Sequence, residues 1–325
     1  MPNYAAVNIH EEGSQVIELW DEAREAIAAV IPELGNNLYR FTVSGRPVIQ
    51  PPAHLPDFWQ DPFVPFQYGI PILYPPNRIK NGTFTFRGRQ YRLPLNEPDN
   101  HLHGEICSRV WEVLAYGASE EAGAYVTCRF RYTDHPEIVS YFPHELVFEV
   151  TYRLYEGALI MESSIVNEGK DEAPFAYGLH PYFPIFVEDG EAVVLQVPAA
   201  REWPVTSEAF VTGEPARTAY GEQLSEGVDL RDYPISGCSL IELAADDRVC
   251  RIGMTARGYT IAYRIDPGFP FLVLFRPHWA SAFSLEPYTY VTDAFNLPYA
   301  HDLTGAKGIG PGETLSFANR LWIEH

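Results

Sequence analysis

The sequence predicts an all-β fold, a β-sandwich in a single domain covering residues 1–325, and three observations carry that prediction. Apolar residues alternate with polar ones at period two in segment after segment, the signature of strands with one face in a core. Between those segments fall 28 prolines and 24 glycines, the residues that end strands and make turns. No regular alternation of strand and helix patterns appears, which argues against a parallel α/β sheet and for a sandwich or barrel.

The individual elements follow from the same pattern. Residues 21–31 are ambiguous. Ala23, Ala26, Ile27, Val30 and Ile31 fit a helical face closed by Pro32, yet a strand over 26–31 fits equally. Residues 50–66 are rich in proline and aromatics and predict a docked loop or arm. Residues 83–86 and 90–93 flank Arg87, Gly88 and Arg89 as a hairpin. Val126, Cys128, Phe130 and Tyr132 mark a strand within 125–133. Leu146, Phe148, Val150, Tyr152 and Leu154 mark the next, and Glu156-Gly157 turns it into a partner carrying Leu159, Met161 and Ile165. Residues 217–237 are polar and turn-rich and predict a long loop. Tyr259, Ile261, Tyr263 and Ile265 share one face of a strand, and the apolar run 271–275 predicts a strand buried on both faces.

Charge and composition narrow the function. Lys and Arg number 23 against 43 Asp and Glu, a formal net charge of −20, with no basic run. That balance repels phosphate backbones and excludes a nucleic-acid partner. No apolar stretch reaches the ~18 residues of a membrane helix, and the first residues have neither a basic nor an apolar signal region. The four cysteines, Cys107, Cys128, Cys238 and Cys250, form no CxxC pair. They predict buried thiols in a reducing, cytoplasmic setting. The oligomeric state is not readable from the sequence.

Four clusters could do chemistry. Asn77 and Arg78 follow two prolines, and an arginine there can fork onto hydroxyl or carboxylate oxygens. His101 and His103 would share a face if residues 100–104 were a strand, leaving acid–base, binding and metal roles open. His180 precedes Pro181, which biases its backbone to an extended form, and Tyr182 would lie on the same face. Glu286 precedes Pro287 in apolar surroundings, either desolvated as a base or at a strand end facing water.

Taken together and in this order, the motifs resemble one family. NRI, then GTFTFRG, NHLHG, GLHPYF, SLEPYT and DAFN look like the aldose 1-epimerases, or galactose mutarotases, from about residue 69 to the C-terminus. No single piece is specific, whereas the combination is. The resemblance implies a galactose mutarotase-like supersandwich and a strand over 26–31. It implies that His180 is the general acid on the ring oxygen, that Glu286 is the base on the anomeric hydroxyl, and that His103 holds the region of the ring oxygen. It also implies that Asn77, Arg78 and Tyr182 bind the sugar, with His101 beside them. A binding aspartate belongs to the pattern, with Asp232 as its best match and Asp229 as a rival. Where the family often has a glutamine, this chain has Val273, a departure that bears on which sugar is preferred.

The expected function is therefore an isomerase that interconverts the α and β anomers of a free aldohexose. It needs no cofactor and no metal, and its partner is a small sugar. Two alternatives share the fold. A hexose-6-phosphate 1-epimerase would need several of Arg78, Arg87, Arg89 and Arg109 to converge on a phosphate. A non-catalytic carbohydrate-binding protein would not need an acid–base pair. A cupin-like metal site on His101 and His103 is disfavoured, because position 107 is Cys107 where that motif has a glutamate.

Overall fold

The computed structural model describes residues 3–59, 64–246 and 248–325. The middle of the proline-rich segment 50–66 therefore lies outside the described residues. Among the described residues the strands form antiparallel sheets of nine, seven and five strands, with three two-stranded ribbons. The nine-stranded sheet runs from Glu112–Ser119 at one edge to Val228–Asp229 at the other, with Leu146–Tyr155 and Ala158–Asn167 near its centre. One buried cluster joins Ile17, Phe41, Phe148, Tyr152, Leu272 and Phe283, which belong to all three large sheets. The alternating faces read from the sequence are thus the faces packed between sheets, as in a β-sandwich.

Local chemistry explains the elements. The ambiguous segment resolves as strand: Asp21 caps a short turn over Glu22–Arg24, and Ala26–Ile31 pairs on both sides. Ala26, Ala28, Ala29, Val30 and Ile31 are all buried, which a strand inside a sheet allows and a one-faced helix does not. The hairpin at 83–92 is tighter than the sequence predicts. Arg87 and Gly88 both take positive φ, so the loop has two residues and Arg89 already belongs to the strand Arg89–Arg92.

The predicted loop at 217–237 is corrected. It contains the helix Ala219–Glu226, capped where the Thr218 hydroxyl accepts the Gly221 amide at 2.9 Å and ended at Gly227. A threonine cap at the start and a glycine after the end outweigh the polar composition between them. That eight-residue helix is the longest among the described residues, and none is long and apolar enough to cross a membrane.

Two pieces of chain position the site. In the seven-stranded sheet, Ala282–Tyr288 is buried throughout. On one side it pairs with Phe271–Phe275, setting Val273 opposite Glu286. On the other it pairs with Gly178 at Tyr288 and with Tyr182 at Ser284. The register is the same in both stretches, so His180 falls opposite Glu286, where Pro181 interrupts the ladder by having no N–H. The second piece is the ribbon of Arg78–Lys80 with Asn100–Leu102, which brings Arg78 beside the histidine motif.

The strand ends at Leu102 because His103 and Gly104 turn to φ 61° and 67°. His101 and His103 therefore do not share a face, contrary to the alternation assumed for 100–104. A Cβ on Gly104 would stand 1.9 Å from the Tyr74 carbonyl oxygen. Gly104→Ala is expected to cost more than about 2 kcal/mol of stability, since it adds a backbone clash to left-handed strain. Urea denaturation of the variant beside the wild type checks it.

Candidate active site

A cavity of about 310 Å³ opens over these two pieces of chain. Asn77, Arg78, His103, His180, Tyr182 and Glu286 all line it. Its size falls within the range of small-molecule sites.

Glu286 and His180 meet at its buried base, with His180 Nε2 3.2 Å from Glu286 Oε1. The Tyr288 hydroxyl donates to Glu286 Oε2. Ser284 Oγ lies 2.9 Å from both the Pro181 carbonyl and His180 Nδ1. A carbonyl only accepts, so the serine proton goes to Pro181 and the Nδ1–H of His180 donates to the serine oxygen. Nε2 is left to face Glu286. The His180 ring lies over the Tyr182 ring, with centroids 4.6 Å apart, and the Tyr182 hydroxyl donates to the Phe66 carbonyl at 2.9 Å.

Burial shifts both titrating groups. It pushes the Glu286 carboxyl up to about 8, opposed by the Tyr288 hydroxyl, Ser284 and the Arg78 charge. The same desolvation holds the His180 imidazole well below its ordinary value. Without ligand the pair thus holds one proton near neutrality, on the carboxyl side of the Nε2–Oε1 contact.

His103 is fixed in the opposite tautomer. Its Nδ1 accepts the Asn77 amide at 3.1 Å, while its own amide donates to the Asn77 carbonyl at 2.9 Å. The ring proton is therefore on Nε2. Burial, followed by His180 and Arg78, keeps this imidazole neutral, well below its ordinary value. Arg78 is forked onto Glu97 by Nε and Nη2, at 2.8 and 2.7 Å.

Three of the candidate residues singled out in the sequence lie elsewhere. His101 is turned away from this cavity: its Nδ1 meets the Pro94 carbonyl at 2.6 Å, and it lines a separate cavity with Glu105 and Arg109. With His101 and His103 divergent, the two-histidine metal arrangement loses its geometry. Asp232 and Asp229 both line another cavity, with Tyr220 and Tyr233, and Asp229 is forked by Arg231. Neither aspartate lines the cavity that holds Glu286. The arginines do not converge on a phosphate site either. Arg87 pairs with Glu172, Arg109 with Glu105 and Glu137, and Arg89 lies over the Tyr91 ring.

Other contributors were not singled out. Trp279 and Phe275 form an aromatic wall, 5.7 Å between centroids, and Glu97 stands beside Arg78. Nothing local in the sequence marks them, because distant segments bring them in. Ser284 and Tyr288 are different. They lie two residues either side of Glu286 on one strand, so period two already puts all three on one face.

Glu286 also has a consequence for stability. Its unfolded value is ~4.3 and its folded value about 8, so between these the folded state holds a proton that the unfolded chain releases. Stability from this group therefore falls as pH rises through the window. A glutamine would mimic the protonated acid, donating to His180 Nε2 and accepting from Tyr288. Glu286→Gln is expected to raise the melting temperature, by more at pH 8 than at pH 5, and scanning calorimetry at the two values checks it.

Known proteins resemble the chain along nearly its whole length. A family model described as aldose 1-epimerase matches residues 7–322. The Escherichia coli (strain K12) protein YphB, itself uncharacterized, is 25% identical over 279 residues, 81% of this chain and 83% of that protein. A solved galactose mutarotase-like protein of Clostridium acetobutylicum superposes with a TM-score of 0.86 at 27% identity, covering 96% of each chain. The galactose 1-epimerase of Lactobacillus acidophilus shares the fold, with a TM-score of 0.78 at 16% identity over 100% of this chain and 99% of that one.

Proposed function

The chain belongs to the aldose 1-epimerase family, and on that premise we propose that it interconverts the α and β anomers of a free aldohexose. The observation that carries the proposal is the buried contact of 3.2 Å between Glu286 Oε1 and His180 Nε2 at the base of a sugar-sized cavity.

Ring opening moves two protons. The shared proton first crosses the 3.2 Å contact from Glu286 Oε1 to His180 Nε2. The ionised Glu286 then takes the proton from O1 as the C1–O5 bond breaks, and the electron pair left on O5 takes the proton from Nε2. The product is the open aldehyde beside a protonated Glu286 and a neutral His180. Rotation about C1–C2 turns the other face of the aldehyde to O5. Attack by O5 returns its proton to Nε2, and Glu286 protonates the new O1. The pair carries one proton throughout, which is the inventory the buried site holds without ligand. Ser284 keeps Nδ1 occupied so that Nε2 alone faces the reaction. Neutral His103 offers an Nε2–H to a sugar oxygen, and the aromatic wall covers an apolar sugar face. The working form is the pair with one proton, so kcat/KM is expected to fall on the alkaline side, as that proton is lost through the raised value of about 8.

Polarimetry of fresh α-D-glucose and α-D-galactose tests the proposal, and no rate above the spontaneous one for any aldohexose would refute it. Glu286→Gln and His180→Asn are each expected to lower kcat by at least ~10²-fold. The double variant should fall little below the worse single, because the two transfers are one event. Losses that multiply would reassign the acid and the base.

Among the described residues lining the cavity, Arg78 is the only arginine or lysine, and Glu97 already pairs with it. This favours uncharged sugars over their 6-phosphates. Glucose is expected to be the better substrate by kcat/KM when the two are compared directly. The reverse order would support the hexose-6-phosphate alternative.

A further inference from the structure

The cavity wall contains a closed charge pair. Arg78 Nε and Nη2 hold both oxygens of Glu97, and Nη1 reaches the Glu208 carbonyl at 3.2 Å. A guanidinium has five N–H groups, so one on each terminal nitrogen stays available. Both side chains are largely withdrawn from solvent, Arg78 at 21% and Glu97 at 15% exposure. An acidic sugar entering here meets the Glu97 carboxylate together with the arginine, and Glu286 beyond it.

Resting on the epimerase reading above, we infer that Glu97 is the residue that restricts this site to uncharged sugars. It cancels the Arg78 charge and holds the two remaining N–H groups in place as donors for hydroxyl oxygens. A carboxylate or phosphate on the sugar would need that cation unpaired. Glu97 lines the same cavity as Arg78 and Glu286, and charges this far withdrawn from solvent are screened little by salt. Wherever the anionic group sits in the cavity, it feels Glu97. Glu97 acts through Arg78 and is a positioning residue as well as a charge filter.

The test compares D-glucose with D-glucuronate, by kcat/KM for both and by calorimetric binding of glucuronate. In Glu97→Gln, which keeps the shape and one acceptor oxygen, the glucuronate-to-glucose ratio is expected to rise at least ~10-fold, one pairwise charge being worth about that much. The gain should appear in KM and in binding, not in kcat, and should vanish when Arg78→Met is added. Arg78→Met alone leaves Glu97 unpaired and should lower the ratio at least ~10-fold, which keeps the inference testable if Glu97→Gln does not fold. A ratio within about twofold of wild type in a folded single variant overturns it, as does a Glu97→Asp variant that gains glucuronate as Glu97→Gln does. Failure of the wild type to act on any aldohexose would count against the epimerase reading. Glucuronate binding still reports on Glu97 in that case, because it needs no turnover.

Discussion

Everything in the site depends on one cross-strand position. His180 stands opposite Glu286 because the same antiparallel register holds at Gly178 with Tyr288 and at Tyr182 with Ser284. Cross-strand neighbours lie about 5 Å apart at their Cβ atoms, close enough for an imidazole and a carboxyl to touch. Pro181 gives up a ladder bond there, and its carbonyl orients Ser284, which in turn orients the imidazole. The backbone thus does what a flexible loop could not, setting two reactive groups in contact before any sugar arrives.

Two imidazoles then face the same cavity with opposite polarity. His180 turns Nε2 to Glu286 because Ser284 receives its other proton, whereas His103 keeps its Nε2–H because the Asn77 amide occupies its Nδ1. Their rings sit edge to face at 5.1 Å, with Phe66 against His103 at 5.2 Å. Desolvation keeps both neutral, and it lifts the carboxyl between acid and base roles. The buried polar groups are costly individually, and each is met by a partner on the same strands or on the chain that flanks them.

The sequence made the strands legible because their apolar faces repeat at period two. The face carrying Ser284, Glu286 and Tyr288 was readable for the same reason. Motifs led to His103, but its backbone turn was hidden, and the assumption of a continuing strand placed His101 beside it. Asp232 was chosen by motif order, and the chain carries it to another cavity. The helix Ala219–Glu226 was masked by its polar surface. Trp279, Phe275 and Glu97 are ordinary residues until tertiary pairing of distant segments gathers them around Glu286.

The unbroken register of Ala282–Tyr288 also limits how this chain can change in length. Side chains on a strand alternate, so a single residue gained or lost within it would turn Leu285 or Pro287 toward the cavity and bury the acid in the opposite face. The strand is clamped on both sides, by Phe271–Phe275 and by Tyr182–Pro184, so such a slip could not be absorbed at one edge. Changes in length are therefore tolerable only in the connections, such as the one that holds the capped helix Ala219–Glu226. Drift in length and drift in chemistry are separated along this polypeptide: the loops can vary their span, while the central strand can change only residue by residue.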